Sequence, residues 1–248
     1  NDFSGSEINE ILKTLKSENI NTIDTAISYG NSETRLGFED LTYFNIISKL
    51  PAIPESENNI EEWVNKNVES SLNNLKISKL YGILLHNPND LLSSNSKKLF
   101  NALVNLKDNN IVEKIGISGY SPSELDDLSK NFRFDIVQYP FSIFDRRLES
   151  SGWMKTLYEE GVEIHVRSIF LQGLLLMPIN EVPKKFDKWN KVFKLWESSL
   201  NNLNLSKIEA CLKFACSFKE ITKVIIGVDT KEQLNEILDI DLSKEQIT

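Results

Sequence analysis

The sequence predicts an α/β fold, a (β/α)8 barrel of parallel strands in which the first strand is missing from the chain. Short β-branched or aliphatic runs alternate with amphipathic stretches along nearly the whole length, which is typical of a parallel sheet covered by helices. No hairpin signal reverses the strand direction, and right-handed crossovers then favour closure into a barrel. The length of 248 residues suits one barrel-sized domain, residues 1–248, better than two small domains.

Seven strands are predicted from these short runs, most of which end at a polar residue. They cover residues 20–25, 43–48, 80–85, 112–118, 135–138, 162–166 and 224–226. A closed barrel of this type has eight strands, and this chain starts directly with a helix. Because an open strand edge is a liability for aggregation, we expect the missing strand to precede Asn1.

Seven helices are predicted from apolar residues at helical spacing and from capping signals. They cover residues 6–17, 59–75, 97–106, a segment that opens at 121–124, 151–160, 206–216 and 230–238. Residues 121–124 combine a Ser cap with Pro at the first helical position, and residues 206–209 form a capping box. The stretch 177–204 exceeds a normal connection, and its apolar spacing predicts an extra helix near the barrel mouth.

Composition and charge argue against several kinds of partner. The net charge of −8 argues against nucleic acid and anionic membranes, because phosphate binding needs clustered Lys and Arg. No apolar run approaches the roughly 20 residues that span a bilayer, and no secretory leader pattern is seen. Cys211 and Cys216 do not share a helix face, so we predict buried free thiols, no metal site and a cytoplasmic protein. The oligomeric state stays open.

Four polar residues stand at or just past three of the predicted strands. Asp24, Tyr29, Lys49 and His86 should meet at the C-terminal mouth of the barrel, where such barrels keep their chemistry. Together they predict a proton-donor site built around a tyrosine. Taken singly, each has a structural interpretation: an ion pair for Asp24 and Lys49, a loop aromatic for Tyr29 and a loop contact for His86. His165 lies in mid-strand and is predicted to be a packing residue.

These residues resemble the signature of the aldo-keto reductases over about residues 20–238. The matching residues are Asp-Thr-Ala at 24–26, Tyr-Gly at 29–30, Lys49, His86, Gly-Ile-Ser at 116–118, Gln138, Arg-Ser at 167–168, Gln-Gly-Leu-Leu at 172–175, Ile-Gly at 226–227 and Gln-Leu at 233–234. The resemblance implies a TIM barrel enzyme that binds NADP or NAD across its mouth. It also implies reduction of aldehydes and ketones, usually with NADPH.

The four mouth residues take distinct roles in carbonyl reduction. The cofactor gives a hydride to carbon, and the protein must give a proton to oxygen. Tyr29 is the proposed acid, although a free tyrosine has a pKa near 10 and donates reluctantly. We expect the Lys49 ammonium, held by Asp24, to lower the pKa of Tyr29, and His86 to orient the carbonyl oxygen.

The resemblance also implies a set of cofactor contacts. These are Ser118 and Gln138 for the nicotinamide carboxamide, together with Arg167, Ser168, Gly173, Gly227, Asp229, Lys231 and Gln233. Gly119 replaces the family's usual Asn, which removes one hydrogen bond. Arg167 replaces an aromatic ring; its guanidinium can stack, but its charge disfavours the positively charged oxidised nicotinamide.

The adenosine end of the predicted cofactor site carries an acidic residue. The N-terminus of the last helix suits an anion, but Asp229 would repel a 2′-phosphate and could instead accept from a ribose hydroxyl. Lys231 could compensate for that charge. Alternatively, Asp229 is the N-cap of the helix. The choice between NADPH and NADH is therefore open.

The leading hypothesis is an oxidoreductase that acts on a small polar or sugar-like carbonyl compound. Four aromatic residues expected near the mouth favour a sugar-like substrate, but they could equally belong to the core. They are Phe141, Phe144, Trp189 and Trp196. The second hypothesis is a catalytically silent barrel that binds cofactor as a regulatory protein. A third, a phosphate-binding barrel of another family, would need a glycine-rich loop that is reduced here to Gly173. Substrate identity and reaction direction stay open.

Overall fold

The computed structural model describes residues 5–242, and these form one parallel sheet covered by helices. The strands are β1 Thr22–Asp24, β2 Asn45–Leu50, β3 Leu80–Leu85, β4 Val112–Ser118, β5 Ile136–Pro140, β6 Glu163–Arg167 and β7 Lys223–Val224. Each strand pairs in parallel with the next along the chain, so the sheet order is the sequence order. The predicted parallel α/β architecture is confirmed.

Ten α-helices accompany these strands within the described residues. They are α1 Gly5–Ser17, α2 Ser32–Leu36, α3 Ile60–Leu75, α4 Ser96–Asp108, α5 Leu125–Leu128, α6 Arg147–Ser150, α7 Trp153–Glu159, α8 Asn190–Leu203, α9 Lys207–Cys216 and α10 Lys231–Leu238. Helices α2 and α6 were not predicted, since five and four residues carry no periodic signal. No helix of residues 5–242 is long and apolar enough to cross a membrane.

The long stretch after β6 contains α8, as its apolar spacing predicts. The indole Nε1 of Trp196 donates to the Leu175 carbonyl at 3.3 Å, and Leu200 and Cys211 complete a small apolar cluster there. This contact attaches α8 to the loop that follows β6. Both cysteines are free; Cys211 is buried, but Cys216 is exposed, so the prediction of two buried thiols was wrong for Cys216.

The middle of the barrel interior is apolar and tightly packed. Ile47, Leu84 and Ile136 form a fully buried cluster between the strands. Gly116 allows this packing, because a Cβ at that position would lie 1.9 Å from the Ile136 carbonyl oxygen. The apolar layer therefore separates polar groups near the C-terminal ends of the strands from those near the N-terminal ends.

A hydrogen-bonded polar cluster lies near the N-terminal ends of β3, β4 and β6. Glu163 accepts from Tyr81 at 2.6 Å, pairs with Lys114, and contacts His165 Nε2 at 3.1 Å. Burial raises the pKa of Glu163, but hydrogen bonds from His165, Lys114 and Tyr81 outweigh it and lower the value to about 2. His165 is therefore part of a polar cluster as well as buried, and its Nδ1 has no partner among the described residues.

Strands β1 and β7 are the two edges of the sheet within the described residues. An apolar groove of about 250 Å³ runs between them, lined by Ile23 of β1, Val224 of β7, Ile11 of α1 and Leu234 of α10. On the outside, α1 and α10 are joined by the ion pair of Glu10 with Lys231 at 2.9 Å. The groove lies where the eighth strand of a closed barrel would stand.

Candidate active site

A chain of buried polar side chains crosses the C-terminal end of the sheet. The Lys49 ammonium, 1% exposed, pairs with Asp24 and donates to the Thr25 carbonyl at 2.9 Å. The other Asp24 oxygen accepts from the Gln138 amide at 2.8 Å, and Ser118 donates to Gln138 at 3.0 Å. Side chains from β1, β2, β4 and β5 thus form one connected unit.

The end of β2 differs from the predicted one by two residues. Lys49 was expected just past a strand that ends at residue 48, but β2 extends through Leu50. The backbone explains the difference, because Ile27 N–H donates to the Lys49 carbonyl at 3.2 Å and His86 N–H to the Leu50 carbonyl at 3.0 Å. Lys49 therefore points into the barrel from within a strand, which fixes its ammonium more firmly than a loop would.

Tyr29 stands in a tight turn above this chain and faces His86. Its ring centroid lies 5.5 Å from the Lys49 ammonium and 5.8 Å from the centroid of the His86 ring. His86 Nδ1 lies 3.3 Å from the Ser28 hydroxyl, which leaves Nε2 free to meet a ligand. The Tyr29 hydroxyl has no hydrogen-bond partner among residues 5–242 and is available to a ligand as well.

A buried carboxylate anchors the turn that carries Tyr29. Glu33 of α2 accepts from the hydroxyls of Ser48 on β2 at 2.6 Å and Ser71 on α3 at 2.7 Å. Ser32, next to it, shares a 3.0 Å hydrogen bond with Thr25. Because these bonds satisfy buried oxygens, they hold the turn against both the sheet and α3.

The charges around the site shift the pKa of three groups. Burial raises the pKa of Tyr29, and the Asp24 carboxylate raises it further, whereas Arg167 lowers it. Burial lowers the pKa of Lys49, which the Asp24 charge opposes. Burial, followed by the charges of Lys49 and Arg167, lowers the pKa of His86 and favours the neutral imidazole.

The expectation of a lowered pKa for Tyr29 is wrong for this structure, because burial and then the Asp24 carboxylate raise the pKa. Arg167 opposes this rise, and the Lys49 ammonium lies near the Tyr29 ring but is paired with Asp24.

Arg167 takes an unexpected position beside Gly119. Its guanidinium donates to the Gly119 carbonyl at 2.8 Å and lies 4.7 Å from the centroid of the Tyr120 ring. Gly119 has no room for a side chain, because a Cβ there would lie 2.4 Å from Cε1 of the buried Tyr139 ring as well as 2.2 Å from a Glu124 carboxylate oxygen. The family's usual Asn could not occupy position 119 without displacing Tyr139.

A cleft of about 600 Å³ leads from Tyr29 along the loop after β6 to the start of α10. Its volume is in the range of cofactor sites, 300 to about 1,000 Å³. Leu171, Gln172 and Gly173 all have positive φ, and Gln172 and Gly173 line the cleft.

The far end of the cleft is acidic. Asp229, Gln233 and Glu236 line it. The N-cap of α10 is Thr230, whose hydroxyl accepts from Gln233 N–H at 3.2 Å, so the alternative that Asp229 is the N-cap was wrong. Lys231 does not line the cleft, because its ammonium pairs with Glu10 of α1. In this structure Lys231 is engaged by Glu10 rather than by Asp229.

Most predicted site residues line this cleft, although four do not: Lys49, His86, Ser118 and Lys231. The lining includes Asp24, Tyr29, Gln138, Arg167, Ser168, Gly173, Gly227, Asp229 and Gln233. Ser118 is buried behind Gln138 and contacts the site through it. Lys231 points to α1. Glu236 was missed, although its spacing of three residues from Gln233 places both on one face of α10.

The aromatic residues expected at the mouth do not line this cleft. Phe141 is buried and stacks on Phe214 with centroids 5.4 Å apart, so its place is in the core. Trp196 is buried and Phe144 packs against it, with ring centroids 5.9 Å apart. Trp189 is exposed. These residues therefore give no support to the idea that aromatic rings in the cleft stack on a sugar substrate.

Comparisons with known proteins agree with this architecture. The sequence profile described as "Aldo/keto reductase family" matches residues 1–248. The "Uncharacterized oxidoreductase YqkF" of Bacillus subtilis (strain 168) is 25% identical over 257 residues, covering 94% of this chain and 82% of the relative. The holo form of aldo-keto reductase AKR11C1 from Bacillus halodurans has a TM-score of 0.81 at 19% identity, covering 100% of this chain and 85% of that one.

A second solved structure gives the same result for the fold. The thermostable aldo-keto reductase Tm1743, in complex with the inhibitor epalrestat, has a TM-score of 0.74 at 20% identity, again over 100% of this chain and 85% of that chain. At such identities, these structural likenesses bear on the fold, which is that of the predicted barrel.

Proposed function

Because the chain belongs to the aldo/keto reductase family, and is thus an oxidoreductase of carbonyl compounds, we propose that Tyr29 is the proton donor of its reaction. The proposed substrate is an aldehyde or ketone of a small polar or sugar-like compound. The observation that carries the proposal is the position of the Tyr29 hydroxyl. It faces the cleft without a partner among the described residues, beside His86 and above the Lys49–Asp24 pair.

In the proposed reaction, the chain's own residues hold the carbonyl and supply the proton. A bound nicotinamide cofactor supplies the hydride. His86 is kept neutral; when its Nδ1 accepts from Ser28, its Nε2 carries the hydrogen and donates to the carbonyl oxygen. Tyr29 then gives its proton to the same oxygen as negative charge develops there.

The cofactor specificity that we propose follows from the acidic far end of the cleft. Asp229 and Glu236 line it, and Lys231 is paired with Glu10. A ribose 2′-hydroxyl can donate to a carboxylate, whereas a 2′-phosphate is repelled. We therefore expect NADH to bind at least comparably to NADPH.

The test is Tyr29→Phe, which removes the hydroxyl and keeps the ring. We expect turnover on the best carbonyl substrate to fall by about 10²-fold or more, with cofactor binding nearly unchanged. Tyr158→Phe is the matched control, because Tyr158 has similar exposure, 45% against 49%, and lies outside the cleft. If Tyr29→Phe stays within about a factor of two of the wild-type rate, Tyr29 is not the acid. Cofactor binding without any turnover in the wild type would favour the silent, regulatory barrel instead.

A further inference from the structure

Arg167 is a part-buried cation whose contacts among the described residues are all with neutral groups. Its guanidinium contacts the Gly119 carbonyl, the Ser168 hydroxyl at 3.5 Å and the Tyr120 ring. It makes no ion pair with any carboxylate of residues 5–242. A guanidinium held in this way carries a full positive charge that protein groups do not neutralise.

The other charged groups near Arg167 have partners other than its guanidinium. Asp24 is matched by Lys49, in direct contact. Glu124, the carboxylate behind Gly119, is turned toward the Tyr139 hydroxyl at 3.2 Å and the Tyr120 N–H at 3.3 Å. His86 is held neutral, as its lowered pKa indicates. No carboxylate of residues 5–242 therefore contacts the Arg167 guanidinium, whose positive charge lies in the lining of the cleft.

This charge lies where a hydride donor must work. Arg167, Tyr29 and Gln138 line the same cleft. A carbonyl that receives the Tyr29 proton must have its carbon within about 3.5 Å of the donor ring. Since Arg167 is close enough to act on Tyr29, Lys49 and His86, it also acts on that ring.

We infer that Arg167 makes the cleft discriminate between the two redox forms of its cofactor, so that it binds the neutral, reduced nicotinamide in preference to the cationic, oxidised ring. This inference rests on the proposed function, because it assumes a nicotinamide cofactor in this cleft. The physical reason is Coulomb repulsion between the guanidinium and the oxidised ring, which is strong in a partly dry site. The protein is thereby biased toward reduction and toward release of the oxidised product.

The test measures binding rather than turnover. Isothermal titration calorimetry gives the dissociation constants of NADH, NAD⁺, NADPH and NADP⁺, and the oxidised-to-reduced ratio is compared between variants. We expect Arg167→Met to lower this ratio by about tenfold or more, chiefly by tightening the oxidised form. Arg167→Lys should keep most of the wild-type ratio, because it keeps the charge.

Two further variants show whether the effect belongs to the charge at position 167. Arg133→Met is the matched control, since Arg133 also donates to neutral groups, the Ser129 and Phe132 carbonyls, but stands before β5 at the opposite end of the barrel. The oxidised-to-reduced ratio of this variant should be unchanged. Arg167→Gln removes the charge but keeps an N–H donor for the Gly119 carbonyl, and it serves if Arg167→Met does not fold.

The outcomes separate the two proposals. If both redox forms bind and the ratio is the same in Arg167→Met or Arg167→Gln as in the wild type, the inference about Arg167 is overturned and the proposed function stands. If Arg167→Lys loses the ratio as fully as Arg167→Met, the charge is not its cause and the inference also fails. If the wild type binds none of the four nucleotides, the proposed function fails, and the inference fails with it.

Discussion

Lys49 and Asp24 form a buried ion pair, so we expect the loss of one charge to lower the free energy of unfolding strongly. We also expect the effects of removing each charge to be non-additive. Asp24→Asn keeps the shape of the side chain but leaves the ammonium without its counter-ion at a position that is 1% exposed. Breaking a buried pair in this way costs about 3–5 kcal/mol of the free energy of unfolding. Lys49→Met leaves a carboxylate that still accepts from Gln138, so its cost should be smaller.

A double-mutant cycle measures the coupling between the two charges. The free energy of unfolding is obtained from urea titrations of the wild type, each single variant and the double variant Asp24→Asn/Lys49→Met. Because the double variant leaves neither charge unpaired, we expect it to be more stable than the sum of the single effects implies, by about 1–3 kcal/mol. Lys107→Met is the control, since Lys107 pairs with Asp135 at the surface and should cost at most about 1 kcal/mol.

Additive effects of the two substitutions on the free energy of unfolding would contradict this prediction. If the single effects sum to the double effect, or if Asp24→Asn costs no more than Lys107→Met, the pair does not carry the buried charge interaction that the geometry indicates.

Two other predictions concern Asp229 at the far end of the cleft and Glu163 at the N-terminal end of β6. Asp229→Arg should shift the ratio of NADPH to NADH dissociation constants toward NADPH by at least about tenfold, because a guanidinium can bind a 2′-phosphate with a charge-assisted contact; an unchanged ratio would mean that Asp229 does not face the ribose. Glu163→Gln should weaken the loss of stability in acid. Since the folded pKa of Glu163 is lowered from 4.5 to about 2, its ionised form stabilises the fold above about pH 4.5, and this contribution disappears as the pH falls through about 2. Chemical denaturation at pH 7 and pH 3 should therefore show a smaller difference for Glu163→Gln than for the wild type, and an equal difference would contradict this assignment.

The order of strands and helices could be predicted because each element carries its own periodic signal. Helix α3 is an example: predicted over 59–75, it spans Ile60–Leu75, and its buried residues include Ile60, Val64, Val68 and Leu75 at helical spacing. Strand ends were harder, as β2 shows. Its last two residues pair with backbone groups near residues 27 and 86, and no local pattern reports such distant partners.

The proximity of Asp24, Tyr29, Lys49 and His86 could be predicted from the sequence, because parallel strands bring their C-terminal ends to one end of the sheet. The raised pKa of Tyr29 could not be predicted, because it depends on burial and on the nearby Asp24 carboxylate in the folded chain. Similarly, Lys231 has a partner 221 residues away, on α1, which the sequence of α10 by itself could not reveal.

The two departures from the family pattern, at positions 119 and 167, are linked. Glu124 folds back to accept from the Tyr120 N–H and the Ser121 N–H, and its carboxylate and the buried Tyr139 ring fill the space where a side chain at position 119 would lie. Gly119 fits this arrangement, and its backbone carbonyl accepts from Arg167. The orientation of the Arg167 guanidinium therefore depends on the backbone at position 119, which Glu124 and Tyr139 keep free of a side chain.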